Sequence, residues 1–144
     1  MTAPAGGPGL PLSQPRTWFV LALSGVFVLL GVLFILAPRM GAALFGLPAP
    51  EGRALAYLPA IGLRDLAFGL YLFALSRTAP PRGLGLVLAI TVLIPAGDIA
   101  ILALERGTES PGHLLLHGLS GLAMVLASAW VLLQGRRHAR EERL

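Results

Sequence analysis

Apolar residues in this chain run in four long blocks: Thr17 to Ala37, Ala54 to Leu75, Gly83 to Leu104 and Leu114 to Leu133. Each block is close to the roughly 20 residues that an α-helix needs to cross a hydrocarbon core of about 30 Å. An open strand in lipid would leave its backbone groups unpaired, so the blocks predict helices. The fold expected is an all-α four-helix transmembrane bundle, antiparallel in up-down-up-down order.

Proline and glycine mark the limits of the blocks. Pro38 follows the first, Pro48 and Pro50 interrupt the next connection, Thr78-Ala-Pro-Pro81 separates the second and third, and Ser110-Pro-Gly112 precedes the fourth. The connections are about 16, 7 and 9 residues, short enough to make consecutive helices antiparallel neighbours. Residues 1–15 are rich in proline and glycine without apolar periodicity and read as a disordered tail. Residues 16–134 form the membrane domain and 135–144 a basic tail. The first block is longer than the h-region of a cleaved secretory signal, and Ile35-Leu-Ala37 lacks the small residue expected before a cleavage site, so it reads as a span.

Composition removes the soluble alternative. Hydrophobic residues make up 56% of the 144 and charged residues 12%, against about 25% charged in soluble domains. Mean hydropathy is +0.78. A domain of this size buries only about two-thirds of its chain's surface, so the surplus apolar area calls for lipid.

All eleven basic residues counted as Lys or Arg are arginines. Arg16, Arg77, Arg82, Arg136, Arg137, Arg140 and Arg143 fall on one side of a four-span topology, and only Arg39, Arg53 and Arg106 on the other. The positive-inside rule then places both termini in the cytoplasm of a multi-pass protein of the cell membrane. The net charge of +4 does not imply nucleic acid, because the arginines sit at span ends where anionic lipid headgroups are their natural partners. Cysteine is absent, which excludes disulfides and thiolate chemistry.

Charge inside the blocks carries the functional signal. Arg64 and Asp65 stand in the middle of the second block and Asp98 within the third, where an ionised group costs at least about 2.5 kcal/mol and usually faces protein or water. At about 1.5 Å of rise per residue, Arg64 lies roughly 15 Å, Asp98 roughly 9 Å and His117 roughly 5 Å from the non-cytoplasmic face. The spacing of Tyr57, Arg64 and Tyr71 puts them on one stripe of the second helix, with Asp65 turned about 100° away. Asp98 and Glu105 share a stripe on the third helix, and His113 and His117 on the fourth. A shared interior would let Arg64 pair with Asp98 across a helix interface.

Each of these residues also has a plain structural reading. Arg64 and Asp98 can be a buried pair that fixes helix register, with Asp65 helping to neutralise Arg64. His113 and His117 have the i,i+4 spacing of a zinc or iron site, yet His113 follows Pro111-Gly112 at the water interface, where it needs no metal. Ala56-xxx-Ala60, Gly62 with Gly69, and Ala123-xxx-Ala127 allow close helix approach. Pro59 and Pro95 should kink or loosen their helices, and Trp18 and Trp130 read as interfacial anchors.

The run Phe45-Gly-Leu-Pro48 after a proline-terminated helix, then Gly62-Leu-Arg-Asp-Leu-Ala-Phe-Gly69, then Gly97-Asp98, resembles a family of small four-helix membrane proteins from bacteria and fungi known only as a domain of unknown function. More distantly it is similar to the DoxX-like four-helix membrane proteins. The likeness covers about residues 17 to 133 and implies a fold and a membrane location, with no activity attached.

Three functional classes follow from these residues. The first is a site for a lipophilic small molecule, binding it or isomerising or cyclising it, with Asp98 and Asp65 as acid and base, Arg64 stabilising negative charge, and Tyr57, Arg64, Tyr71 and His117 lining the site. The second is a non-enzymatic membrane subunit in which the same residues hold helices together. The third is small-solute transport, for which a homodimer would be needed to enclose a lumen. No nucleotide, haem or flavin signature is present, so no cofactor is expected, and membrane lipids are the partners in every case.

Overall fold

A computed structural model describes residues 9–141, and side-chain surroundings as far as residue 134. Its elements are α1 (Pro15–Leu36), α2 (Pro38–Phe45), a 3-10 turn (Gly52–Ala56) running into α3 (Tyr57–Thr78), α4 (Pro81–Thr91), α5 (Leu93–Arg106) and α6 (Pro111–Glu141). Among the described residues there is no strand. α1, α2, α4 and α6 each open with a proline in the first turn, where its missing N–H is no loss and its fixed φ suits the helix.

The four segments Pro15–Leu36, Gly52–Thr78, Pro81–Arg106 and Pro111–Gln134 are each long and apolar enough to cross a membrane, with an 18-residue stretch of mean hydropathy 2.9, 1.5, 2.4 and 1.8 respectively. Only 22–28% of each such stretch is buried inside the molecule, so the greater part of its apolar surface has no protein to cover it. The chain is a multi-pass membrane protein.

Two antiparallel helix pairs make up the bundle. α1 packs on α3 along a seam of small residues, and on α3 the buried positions Leu58, Gly62, Asp65, Gly69, Leu72 and Ser76 repeat at alternating spacings of four and three. That repeat brings one stripe of a helix against its partner. Added methyl groups on Gly31, Gly62 and Gly69 would each come within 3 Å of backbone atoms across the seam, so only glycine allows this approach. The Ser24 hydroxyl donates to the carbonyl of Gly69 across the same seam at 2.8 Å.

α6 packs on α4 and α5 in the second pair. Here the Ser128 hydroxyl donates to the carbonyl of Gly85 at 2.9 Å, a match for the serine–glycine bond of the first pair. The third span is broken at Val92, between α4 and α5, because Pro95 has no N–H to offer the carbonyl of Thr91 one turn before it. The break falls where Pro95 was expected to loosen the helix.

At one end the pairs close on each other. Leu10, Val20, Leu72, Leu84, Leu88, Met124, Ala127 and Val131 form a buried cluster there, and the Phe19 and Trp130 rings stand 6.3 Å apart. The segment from Gly9 to Gln14 belongs to this closure, contrary to the expectation of disorder as far as Pro15. Leu10 is buried, its N–H donates to the carbonyl of Ser76, and Arg77 donates to its carbonyl. A single large apolar side chain with a satisfied backbone outweighs the proline- and glycine-rich surroundings. The first eight residues of that tail lie outside the described residues. α6 runs on to Glu141, past the expected limit at Leu133, through residues with good helix propensity. The end of the basic tail, 142–144, lies outside the described residues.

The opposite end holds an element that the hydrophobic pattern does not announce. α2 lies in the first connection, folded back so that Phe34, Ala42 and Leu58 form a small second cluster. It stops at Gly46, whose φ of 105° is the left-handed conformation that glycine adopts without strain.

Candidate functional site

Between the two helix pairs, in the half of the bundle nearer α2, lies a groove of about 420 Å3. Phe27, Leu30, Phe34, Ile61, Pro95 and Met124 give it apolar walls, and Arg64, Asp65, Asp98 and His117 bring its ionisable groups. Val26, Leu119 and Arg64 line the groove and are themselves exposed, so it opens to the outside of the bundle. Leu23, Phe27 and Met124 separate it from the closed end.

Asp65 reaches the groove because it shares the buried stripe of α3 with Gly62 and Gly69. Its carboxylate Oδ1 lies 3.6 Å from Nη2 of Arg64, whose side chain is 64% exposed at the edge of the groove. Asp98, from α5, faces His117, from α6, with Oδ2 and Nδ1 3.3 Å apart. The other ring nitrogen of His117, Nε2, lies 3.1 Å from the carbonyl oxygen of Phe45.

These contacts are all attractive under one proton count. A carbonyl oxygen only accepts, so Nε2 carries the hydrogen in that bond. Nδ1 and Asp98 then attract one another only if one further proton lies between them, held either by the ring or by the carboxyl. Both placements give the pair a net charge of zero.

Three side chains converge on the C-terminal end of α2. Arg106 donates to the carbonyl of Gly46 at 2.8 Å, His113 Nε2 meets that of Ala43 at 3.1 Å, and His117 meets that of Phe45. The last carbonyls of a helix have no partner within it and carry the negative end of its dipole, so cationic and N–H groups belong there. His117 thus joins α2, α5 and α6 at the groove.

The expected pairing of Arg64 with Asp98 is not the one formed. The glycine seam turns Asp65 inward and leaves Arg64 one residue, about 100°, further round α3, while Asp98 is occupied by His117. The stripe of Tyr57, Arg64 and Tyr71 is therefore the outer one. Tyr57 and Tyr71 are 73% and 65% exposed and do not line the groove. His113 stands beside α2, outside the main groove. His113 and His117 do not form a ligand set, since each turns Nε2 to a carbonyl of the α2 end, and among the described residues no group of three His, Asp or Glu side chains is placed to hold a metal ion. Arg106 and α2 were not anticipated. The signal for α2 was present in Pro38 followed eight residues later by Gly46, a start and a stop for one short helix, whereas nothing local pointed to Arg106.

Residues 24–132 match a family model described as Domain of unknown function (DUF4267). The chain belongs to the DUF4267 family. The matched segment begins at Ser24 and ends at Leu132, so it contains both serine–glycine bonds and every ionisable group of the groove in this DUF4267 protein. The match does not bear on the more distant DoxX-like resemblance. Neither a curated protein nor a solved structure matches the chain.

For a DUF4267 chain the chemistry on offer is limited to what these side chains do. The groove can exclude water from an apolar body, donate hydrogen bonds from Arg64, accept them at Asp65 and Asp98, and move a proton within the Asp98–His117 pair.

Proposed function

We propose that this protein receives a lipophilic small molecule in the groove between its helix pairs, from the surrounding bilayer. The observation that carries the reading is the groove itself: about 420 Å3, walled by apolar side chains, with four ionisable side chains converging on it. Ligand sites have this volume and this mixture of apolar walls with few placed polar groups. If the guest is turned over, Asp98 and Asp65 serve as acid and base and Arg64 steadies developing negative charge, which suffices for an isomerisation or cyclisation by proton movement. The distribution of arginines supports both termini in the cytoplasm and the groove in the outward-facing leaflet of the cell membrane.

A second reading has its own observation. His117 links Asp98 on α5 to the carbonyl of Phe45 at the end of α2, so the pair also serves as a clasp, and a purely architectural subunit would use it in the same way.

Photolabelling separates the two. The protein in phosphatidylcholine nanodiscs is irradiated with a diazirine analogue of farnesol, and labelled peptides are mapped by mass spectrometry. Ligand binding gives labels concentrated on α3, α5 and α6 at the groove, which Ala123→Phe removes by filling the groove without lowering the melting temperature. Labels spread evenly over lipid-facing Leu93 and Leu104, unchanged by Ala123→Phe, would leave the clasp alone.

A further inference from the structure

Resting on that reading, we infer that the polar head of the guest is an uncharged hydroxyl, so that the class of ligand is a lipophilic alcohol or phenol and neither an acid nor an amine. Charge balance in the groove is the first ground. Arg64 and Asp65 neutralise one another at 3.6 Å, and Asp98 faces His117 at 3.3 Å, a contact that is attractive with one proton between them, which makes that pair neutral wherever the proton lies. The four ionisable groups on the groove therefore sum to zero. A carboxylate or ammonium head would enter as a fifth charge without a counter-ion, in surroundings where an unpaired charge is strongly disfavoured.

Hydrogen-bonding capacity is the second ground. Among the described residues, Arg64 makes a single ion-pair contact, through Nη2, which leaves most of its five N–H donors available. Asp65 and Asp98 each use one carboxylate oxygen and keep the other. Spare donors at the edge and spare acceptors inside thus border the same apolar space. A hydroxyl both accepts and donates and satisfies the two at once, whereas a hydrocarbon satisfies neither and leaves them dry.

The neutrality depends on individual residues, so it can be shifted in either direction. Asp65→Asn leaves the guanidinium of Arg64 uncompensated and gives the groove one positive charge. Arg64→Gln leaves Asp65 uncompensated and gives it one negative charge. The second change replaces an exposed side chain and leaves the packed seam of α3 intact, so it keeps the test open if Asp65→Asn does not fold.

The experiment uses three diazirine probes with one farnesyl body and different heads, an alcohol, a carboxylate and an amine, at neutral pH on the full chain in nanodiscs. The wild type is expected to label at the groove with the alcohol about tenfold more than with either charged probe. Asp65→Asn is expected to move the preference to the carboxylate and Arg64→Gln to the amine. Groove labelling by the wild type that is led by a charged probe, or a preference that neither substitution moves, overturns the inference and leaves ligand binding standing. Absence of groove labelling with all three probes overturns ligand binding itself, and the inference with it.

Discussion

Gly31 and Gly62 face each other so closely that a methyl group on either would stand 2.7 Å from the carbonyl oxygen of the other. The obstruction is backbone on both sides and cannot swing aside. Gly62→Ala is therefore expected to push α1 from α3 and to cost about 1–3 kcal/mol, as overpacking does elsewhere. Thermal unfolding in detergent measures it, and Gly118→Ala, at a position with open space around it, is the matched control with little change.

The two serine clasps make a paired prediction. Ser24→Ala and Ser128→Ala each remove one hydroxyl bond to a glycine carbonyl across a helix interface. Interhelical bonds of this kind in membranes average about 0.6 kcal/mol and reach about 1.7 kcal/mol. Because the two lie in different helix pairs and share no partner, the double variant should show the sum of the single losses in the same unfolding measurement.

Arg106 is predicted to hold the end of α2 in place. Arg106→Ala takes a charged donor from the carbonyl of Gly46, a change worth about 1.5–3 kcal/mol locally. Hydrogen–deuterium exchange should speed up in Met40 to Gly46 while the seam of α1 and α3 keeps its protection. Faster exchange throughout α1 would mean that α2 has no independent opening.

Orientation in the membrane can be read directly, because the chain has no cysteine of its own. Ala79→Cys and Thr108→Cys place single thiols in the second and third connections. With both termini cytoplasmic, an impermeant maleimide added to intact cells should label the thiol at position 108 and spare that at 79 until the membrane is opened. The reverse pattern inverts the topology.

How much of this was legible beforehand can be argued from particular residues. The spans were visible because lipid leaves a helix no alternative to an apolar run of fixed length, and their proline starts sharpened the limits. Which face of α3 turns inward was not, because Arg64 and its tyrosines form the more conspicuous polar stripe. In a membrane bundle close approach of small residues decides the interface, and Gly62, Asp65 and Gly69 were the better guide. The convergence of Asp65, Asp98 and His117 required tertiary placement, since they come from three helices and only their membrane half could be counted. The capping of α2 by Arg106, His113 and His117 spans 60 to 72 residues of sequence, a distance over which no local pattern speaks.

Each serine–glycine clasp works within a single helix pair and draws on no side chain that walls the groove. Wall residues such as Val26, Ala123 or Leu119 can consequently be exchanged while the scaffold persists. A frame so divided lends itself to retuning: variants could come to favour guests of different outline without first having to evolve a new way of holding together.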